Sequence, residues 1–179
     1  MFNILLFYYC EVLKISHRCR LLSLDTSSSK TGWACYENAT YKKSGVIDFD
    51  TKELKKKYQG DSERRLEDMC LAIINLLKEY EPDIIVIEKL NVGRNMVAVR
   101  HLAKVIGVVY CYAILNDCFY YEIQPSQWRS QIGIQSIKKD RKQLKQEAIE
   151  YVKNNLGINV TDDEADSICA GIAYIKIFS

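Results

Sequence analysis

A run of four aliphatic residues, 84–87, is followed directly by an acid, Glu88. Four consecutive apolar residues without polar alternation are typical of a central strand that other elements cover on both faces. An ionised carboxylate directly after such a strand is costly unless it reaches water, a cation or a metal ion. The run therefore predicts a layered α/β fold and places one acid at the end of a central strand.

The other apolar patterns predict the rest of the fold. Strands are expected over residues 20–24, 32–37, 41–49, 84–87 and 119–123. Helices are expected over residues 62–80, 95–115, 138–155 and from 161 or 162 to 177, with a short helix or turn from 125. Three successive strands followed by helix–strand alternation imply a mixed five-stranded sheet with helices on both faces.

Length and composition favour one domain. The 179 residues are enough for one core, and no low-complexity linker divides them. We expect a single domain over residues 20–179, preceded by an N-terminal extension over residues 1–19 whose role is open. An extra strand, a partner-binding arm and translation from an over-early start codon are all compatible with it.

Cysteine usage and the apolar segments bear on the compartment. The seven cysteines include no CxxC pair, and there are two histidines, so we expect reduced thiols in a cytoplasmic compartment rather than structural zinc. The aromatic-rich residues 1–10 are too short to span a bilayer and lack the features of a signal peptide. The sequence therefore predicts no membrane contact.

Two basic clusters stand out although the net charge is only +2. Residues 129–145 contain six bases and one acid, and residues 52–57 contain four lysines and Glu53. Basic patches beside an acidic centre suit a polyanionic substrate. Two solvated surface faces would give the same pattern, and the sequence leaves both explanations open.

Three further acids join Glu88 as candidate metal ligands. Asp25 follows the apolar residues 21–24 and is expected just past the end of a strand, while Asp163 and Asp166 share one face of the last helix. A turn-initiating role for Asp25, and a helix-dipole role for the acids of residues 162–164, are the simpler alternatives. If the four carboxylates meet, their mutual repulsion requires divalent cations with a preference for oxygen ligands, such as Mg²⁺ or Mn²⁺.

Four segments carry a resemblance to a known family. They are residues 22–27 with 31–34, residues 83–88, residues 102–107 and residues 163–166. Together they resemble the RuvC-type Holliday junction resolvases of the RNase H-like superfamily, most of all the phage-encoded members. The resemblance covers residues 20 to 177.

The resemblance implies an RNase H-like fold and a structure-selective endodeoxyribonuclease that acts as a homodimer. Such an enzyme hydrolyses phosphodiester bonds in four-way DNA junctions and nicks two opposed strands symmetrically. The matching positions imply that Asp25, Glu88, Asp163 and Asp166 are catalytic and bind Mg²⁺ or Mn²⁺, with two ions per active site. A bacterial or phage-infected cell is the implied setting.

Departures from the family pattern concern DNA recognition. Residues 26 and 27 are Thr and Ser where bacterial members usually have Pro and Gly, and Asn91 stands where many members have an aromatic residue. The family also has a basic residue near the scissile phosphate, after the fifth strand. The candidate DNA-binding residues are Asn91, Arg94, Arg129, Lys138, Lys139, Arg141 and Lys142. We expect the two tryptophans, Trp33 and Trp128, in the core rather than stacked on bases.

Three other functions remain compatible with the sequence. A broader RNase H-fold nuclease would cut forks, flaps or RNA–DNA hybrids with the same chemistry. A nucleotide-binding member of the actin or sugar-kinase group would share the strand–Asp turn. A DNA-binding architectural module would keep the acids as a relic.

Overall fold

A five-stranded mixed sheet forms the centre of the structure, a computed structural model that describes residues 19–90, 95–134 and 140–179. The strands are β1 (Arg20–Thr26), β2 (Lys30–Glu37), β3 (Thr40–Asp48), β4 (Ile84–Glu88) and β5 (Phe119–Ile123). Their order is β3-β2-β1-β4-β5. The pairs β1–β2 and β2–β3 are antiparallel, whereas β1–β4 and β4–β5 are parallel. The predicted mixed sheet is confirmed.

Helices cover both faces of this sheet, as the sequence predicted. The helices in the described residues are α1 (Lys52–Tyr58), α2 (Ser62–Tyr80), α3 (Met96–Leu115), α4 (Pro125–Gln131), α5 (Arg141–Leu156) and α6 (Asp162–Phe178). Side chains of α2 and α3 share one core with Leu22, Leu24, Ile85 and Ile87. Side chains of α4, α5 and α6 share the other core with Leu21, Val86 and Ile123.

The ends of the helices follow from local sequence. Asp140 forms a capping box with Gln143 at the start of α5, and Thr161 caps α6 by accepting a hydrogen bond from the Glu164 amide. Gly157 ends α5 in the left-handed region, with φ of 72°. The predicted start of this helix at residue 138 falls in residues 135–139, which lie outside the described residues. Residues 1–18 of the predicted extension (1–19) and the loop of residues 91–94 lie outside them as well.

Two local predictions need correction. The sequence pattern gave no helix over Lys52–Tyr58, because a seven-residue helix with four lysines shows only Leu54 and Tyr58 as an apolar side. Asp25 was expected just past the end of its strand, but β1 continues through it and pairs Asp25 with Gly32 and Thr26 with Thr31. The turn starts one residue later, where the Ser27 amide and hydroxyl both donate to the Lys30 carbonyl.

Helix α3 has an unusual surface for its length. It buries only the stripe His101, Val105, Val109 and Ala113. Of the described helices, α3 meets the length and composition criteria for a helix that crosses a membrane. A single helix of this kind is weak evidence for a membrane span, because core helices of other proteins meet the same criteria.

Candidate active site

Two acids lie side by side at one edge of the sheet. Side chains alternate along a strand, so Asp25 shares a face with Leu21 and Ser23, while Glu88 shares a face with Val86. Leu21 and Val86 both belong to the core under α6, so both acids point to that side of the sheet. The parallel pairing of β1 and β4 ends at Leu24 and Ile87, and one residue further along both strands are Asp25 and Glu88. Neighbouring strands lie about 4.8 Å apart, so the two carboxylates are near neighbours.

The N-terminal turns of α6 bring the other two acids to this edge. Gly32, the partner of Asp25 on β2, lies so close to α6 that an added Cβ would be 1.9 Å from the Asp163 carbonyl oxygen. No side chain fits in this space, so Gly32 allows the start of α6 to approach the sheet. Asp163 and Asp166 are one helical turn apart and therefore face the same way.

Hydrogen bonds and close packing fix α6 on the sheet. The Ser23 hydroxyl donates to the Ser167 carbonyl at 2.8 Å, and the Tyr36 hydroxyl donates to the Ile168 carbonyl at 2.6 Å. An added Cβ at Gly171 would be 2.4 Å from the Tyr36 ring. The helix that carries two of the acids is thus held by strands that carry or flank the others.

Electrostatic interactions link Asp25 to the other three acids. Burial, then the nearby charges of Glu88, Asp166 and Asp163, raises the pKa of the Asp25 carboxyl well above its usual value. Burial also raises the pKa of Glu88, against the hydrogen bond from Trp128 and the charge of Arg129. For Asp166, burial outweighs the charge of Arg129 and raises the pKa to about 7. Removal from water and repulsion both oppose the charged forms.

The donor set fits hard divalent cations. It consists of carboxylate oxygens, and Asp166 Oδ1 is buried without a hydrogen-bond partner in the structure. Within the described ranges, no three His, Cys, Asp or Glu side chains are grouped as a finished ligand set. Asp25, Glu88, Asp163 and Asp166 are the side chains that would hold such a cation, and a bound cation would offset their mutual repulsion.

Lys145 on α5 contacts two acids at the start of α6. Its Nζ donates to Asp162 Oδ2 at 2.5 Å and to Asp163 Oδ1 at 3.3 Å. Burial lowers the pKa of Lys145, but the hydrogen bond to Asp162 and the charge of Asp163 outweigh it and raise the pKa overall. Lys145 therefore remains charged and offsets part of the repulsion among the acids.

Arg129 and Trp128 on α4 border the strand acids. Trp128 is fully buried, as predicted, and its indole Nε1 also donates to Glu88 Oε2 at 3.2 Å. The Arg129 guanidinium lies 4.4 Å from the centroid of the Trp128 ring, and its Nε is buried without a hydrogen-bond partner. Its charge opposes the rise in the pKa values of Glu88 and Asp166 that burial causes. Arg129 therefore provides a positive charge that acts on both Glu88 and Asp166.

Comparison with known proteins gives the family. A family model described as Crossover junction endodeoxyribonuclease RuvC matches residues 21–174. The chain belongs to the RuvC family. RuvC-family proteins are metal-dependent crossover junction endodeoxyribonucleases, which agrees with the oxygen-rich site at the edge of the sheet.

Two bacterial RuvC proteins are similar to this chain along most of their length. The RuvC of Hydrogenovibrio crunogenus is 27% identical over 162 residues, which cover 87% of this chain and 86% of the relative. The RuvC of Caldicellulosiruptor saccharolyticus is 25% identical over 159 residues, which cover 87% of this chain and 92% of the relative. The resemblance found in the sequence is confirmed at the level of the RuvC family, while the phage-like branch stays a prediction.

Solved structures show the same fold. T. thermophilus RuvC in complex with a Holliday junction substrate superposes with a TM-score of 0.65 and 14% identity, over 88% of this chain and 93% of that chain. Fowlpox virus resolvase in complex with Holliday junction DNA gives a TM-score of 0.58 and 16% identity, over 88% and 97% of the two chains. The predicted RNase H-like fold is confirmed.

The other predicted DNA-binding residues of this RuvC-family chain are only partly described. Arg141 and Lys142 line an open groove of about 650 Å³ between α5 and the start of α6, together with Lys145 and Asp162. The charge of Arg141 also acts on Glu88 and opposes the rise in its pKa. The remaining candidates fall outside the described residues: Asn91, Arg94, Lys138 and Lys139.

Sequence reasoning missed two contacts of the site. Lys145 was counted in a basic cluster but not assigned to the acids, and Trp128 was assigned only to the core. A signal existed for Lys145, because it lies one helical turn after Arg141 on the same basic face. No local pattern in the sequence indicates the Trp128–Glu88 hydrogen bond, which joins residues 40 positions apart.

Proposed function

We propose that this RuvC-family chain resolves four-way DNA junctions by paired, symmetric, metal-dependent nicks. The observation that carries the proposal is that the charges of Glu88, on the adjacent strand, and of Asp163 and Asp166 on α6 all act on Asp25. The T. thermophilus and fowlpox virus proteins of the same fold have been solved with Holliday junction DNA, which supports branched DNA as the substrate. The cytoplasm of a bacterial or phage-infected cell is the proposed setting.

The four acids are the proposed metal ligands and catalytic residues. Two Mg²⁺ or Mn²⁺ ions, when bound, supply the activation of water and the stabilisation of the leaving 3′-oxygen. The chain's own cations act on the substrate and on the acids. Arg129, which is bordered by the site acids, orients the scissile phosphate, and Lys145 limits repulsion at Asp163.

Acid-to-amide variants test this assignment. Asp25→Asn, Glu88→Gln and Asp166→Asn should each lower the rate of junction cleavage in Mg²⁺ by at least about 100-fold, because each removes a charged ligand while preserving shape. Junction binding should survive, since no phosphate contact is removed. The readout is single-turnover cleavage of a synthetic mobile four-way junction, with binding measured in parallel.

Glu122→Gln is the matched control for these variants. Glu122 is also an acid near the end of a parallel strand, but it is exposed and lies beside Tyr120 on the opposite side of the sheet. The Glu122→Gln variant should cleave the junction at the wild-type rate. Wild-type cleavage by Glu88→Gln would rule out the proposed site.

The exposed face of α3 supports a homodimer. Met96, Val97, Tyr110, Ile114 and Leu115 are exposed large apolar residues on this helix. Gly107 lies on the same helix, and outside the backbone of that helix no atom of a described residue is within 4 Å of an added Cβ, so no described neighbour requires glycine there. A second copy packed on this face explains both features. Two-fold symmetry also gives the two active sites that paired nicks need.

A charge placed on α3 tests the dimer. Ile114→Glu should shift the protein from dimer to monomer in analytical ultracentrifugation, because the acid would be buried unpaired between two copies. Leu71→Glu on α2 is the matched control, since Leu71 is 58% exposed and Ile114 is 60% exposed. A wild-type protein that sediments as a monomer at all concentrations tested would contradict the dimer.

The broader-specificity nuclease remains the alternative substrate class. The departure at Asn91 favours it, because an aromatic residue at that position is common in the family. A panel of four-way junctions, Y-forks, flaps and RNA–DNA hybrids separates the two. We expect the four-way junction to be cut fastest and with paired nicks, whereas equal rates on forks would support the alternative.

A further inference from the structure

Helix α1 presents a lysine-rich surface that the proposed active site does not use. Four of its seven residues are lysines, namely Lys52, Lys55, Lys56 and Lys57, and all four are exposed. Its acid, Glu53, leaves the helix with a formal charge of +3 from four lysines and one glutamate. This surface is the densest positive cluster within one element of the described chain, apart from the start of α5.

The structure holds α1 firmly in place. The Thr51 side chain caps its first turn by accepting a hydrogen bond from the Leu54 amide. At the other end Tyr58 is buried, its ring lies 6.2 Å from that of Phe49, and its hydroxyl donates to Asp68 Oδ2 of α2 at 2.7 Å. The lysines therefore have a fixed position relative to the sheet.

Helix α1 follows the end of β3 that lies at the same edge of the sheet as the acids. Strand β3 runs antiparallel to β2, so its last residue, Asp48, is at the same edge as Asp25, and Asp48 pairs with Lys30 at 3.0 Å. Helix α1 begins four residues after Asp48. Since β3 is two strands from β1, Asp48 lies on the order of 10 Å to the side of Asp25.

Two of the lysines are free to bind a partner. Lys55 pairs with Asp50 at 3.0 Å, and Lys57 pairs with Asp68 at 3.1 Å. Lys52 and Lys56 form no ion pair with any described residue. They are four residues apart and therefore lie on the same face of the helix. The side of α1 opposite Leu54 and Tyr58 thus carries two ammonium groups without an ion pair, and Glu53 is the one acid of this helix near them.

We propose that this face of α1 is a docking surface for the sugar–phosphate backbone of a duplex DNA arm that leaves the active site toward β3. The inference rests on the proposed junction-cleaving function and extends it to a second, non-catalytic contact. Duplex DNA carries one negative charge per about 1.7 Å of helix axis, so an arm that passes over α1 offers phosphates to both lysines at any sequence. The contact positions the arm and carries no sequence preference.

The salt dependence of binding tests this surface. Lys52→Gln/Lys56→Gln removes two phosphate contacts, so the slope of log K against log salt should become less steep by about 2. Binding of a four-way junction is measured in a chelator, which prevents cleavage, between about 50 and 200 mM salt. A wild-type slope in the double variant would overturn the proposal. The proposal would also be overturned if the double variant lost as much affinity for a junction that carries neutral methylphosphonates in the arm beside α1 as it loses for the unmodified junction.

Lys78→Gln/Lys153→Gln is the matched control. Both lysines are exposed, and they lie in the last turns of α2 and α5, away from the acids. This variant has the same net charge as the test variant and should keep the wild-type slope. If both variants lose the same slope, the effect is one of overall charge and the docking surface is wrong.

Cleavage by the wild-type protein in Mg²⁺ keeps the two proposals distinguishable. Junction cleavage with an unchanged slope in Lys52→Gln/Lys56→Gln contradicts only the α1 surface. If the slope changes in Lys52→Gln/Lys56→Gln but the wild-type protein does not cleave the junction in Mg²⁺, the proposed function is contradicted and α1 remains a DNA contact.

Discussion

Asp166 is 5% exposed, and one of its carboxylate oxygens has no hydrogen-bond partner in the structure. Burial, opposed by the charges of Arg129 and Lys145, raises its pKa to about 7, whereas an unperturbed Asp titrates near 4. Near neutral pH the folded, metal-free protein therefore holds a carboxyl that is only partly ionised. A bound divalent cation replaces that proton and favours the charged form.

This pKa predicts how metal-free stability changes with pH. Because the folded pKa is raised, the folded state binds more protons than the unfolded state between about pH 4 and pH 7, so stability falls as pH rises through that window. Asp166→Asn removes this loss and should raise the metal-free Tm at pH 8 by about 2–4 °C or more, with little change at pH 4. Thermal unfolding in a chelator measures both values.

The wild-type protein should also gain more stability from Mg²⁺ at pH 8 than at pH 5, since the cation competes with protons for the same oxygens. Glu122→Gln should follow the wild-type pH dependence. A metal-free Tm that rises between pH 5 and pH 8 in the wild type, but not in Asp166→Asn, would contradict the assigned cause.

At the scale of elements, the approach of α6 to β1 and β2 decides whether the acids meet. Local pattern predicted the strands and the last helix, because two-residue and three-four spacing are properties of single segments. It did not predict which strand residue makes room, and Gly32 was quoted only as part of a family segment. That contact joins residues 131 positions apart.

Gly32→Ala tests this packing directly. The added Cβ would be 1.9 Å from the Asp163 carbonyl oxygen, a backbone atom, so α6 must shift away from β2. We expect a loss of about 1–3 kcal/mol in the free energy of unfolding. Junction cleavage should fall more than this loss of stability explains, because Asp163 and Asp166 move together. Denaturant unfolding and cleavage below the unfolding transition provide the two readouts, and wild-type values in both would show that the approach is not needed.

At the scale of the whole molecule, the two sides of the sheet have different roles. The side with α4, α5 and α6 faces the acids and Arg129, whereas α3, on the opposite side, offers the apolar surface proposed for a second copy. The sequence predicted the layers and the four acids, because the apolar run before Glu88 and the helical spacing of Asp163 and Asp166 are local. Helix α1 and the contacts of Lys145 and Trp128 depend on how helices pack, which no local spacing contains.

Calorimetric titration of Mn²⁺ into the DNA-free protein at neutral pH tests most directly whether the four acids form one cation site. The account predicts saturable binding to the wild type and to Glu122→Gln, weakened at least about tenfold in Asp25→Asn, Glu88→Gln and Asp166→Asn, because each variant removes a ligand from the same site. Equal binding by the wild type and all three amide variants would contradict it.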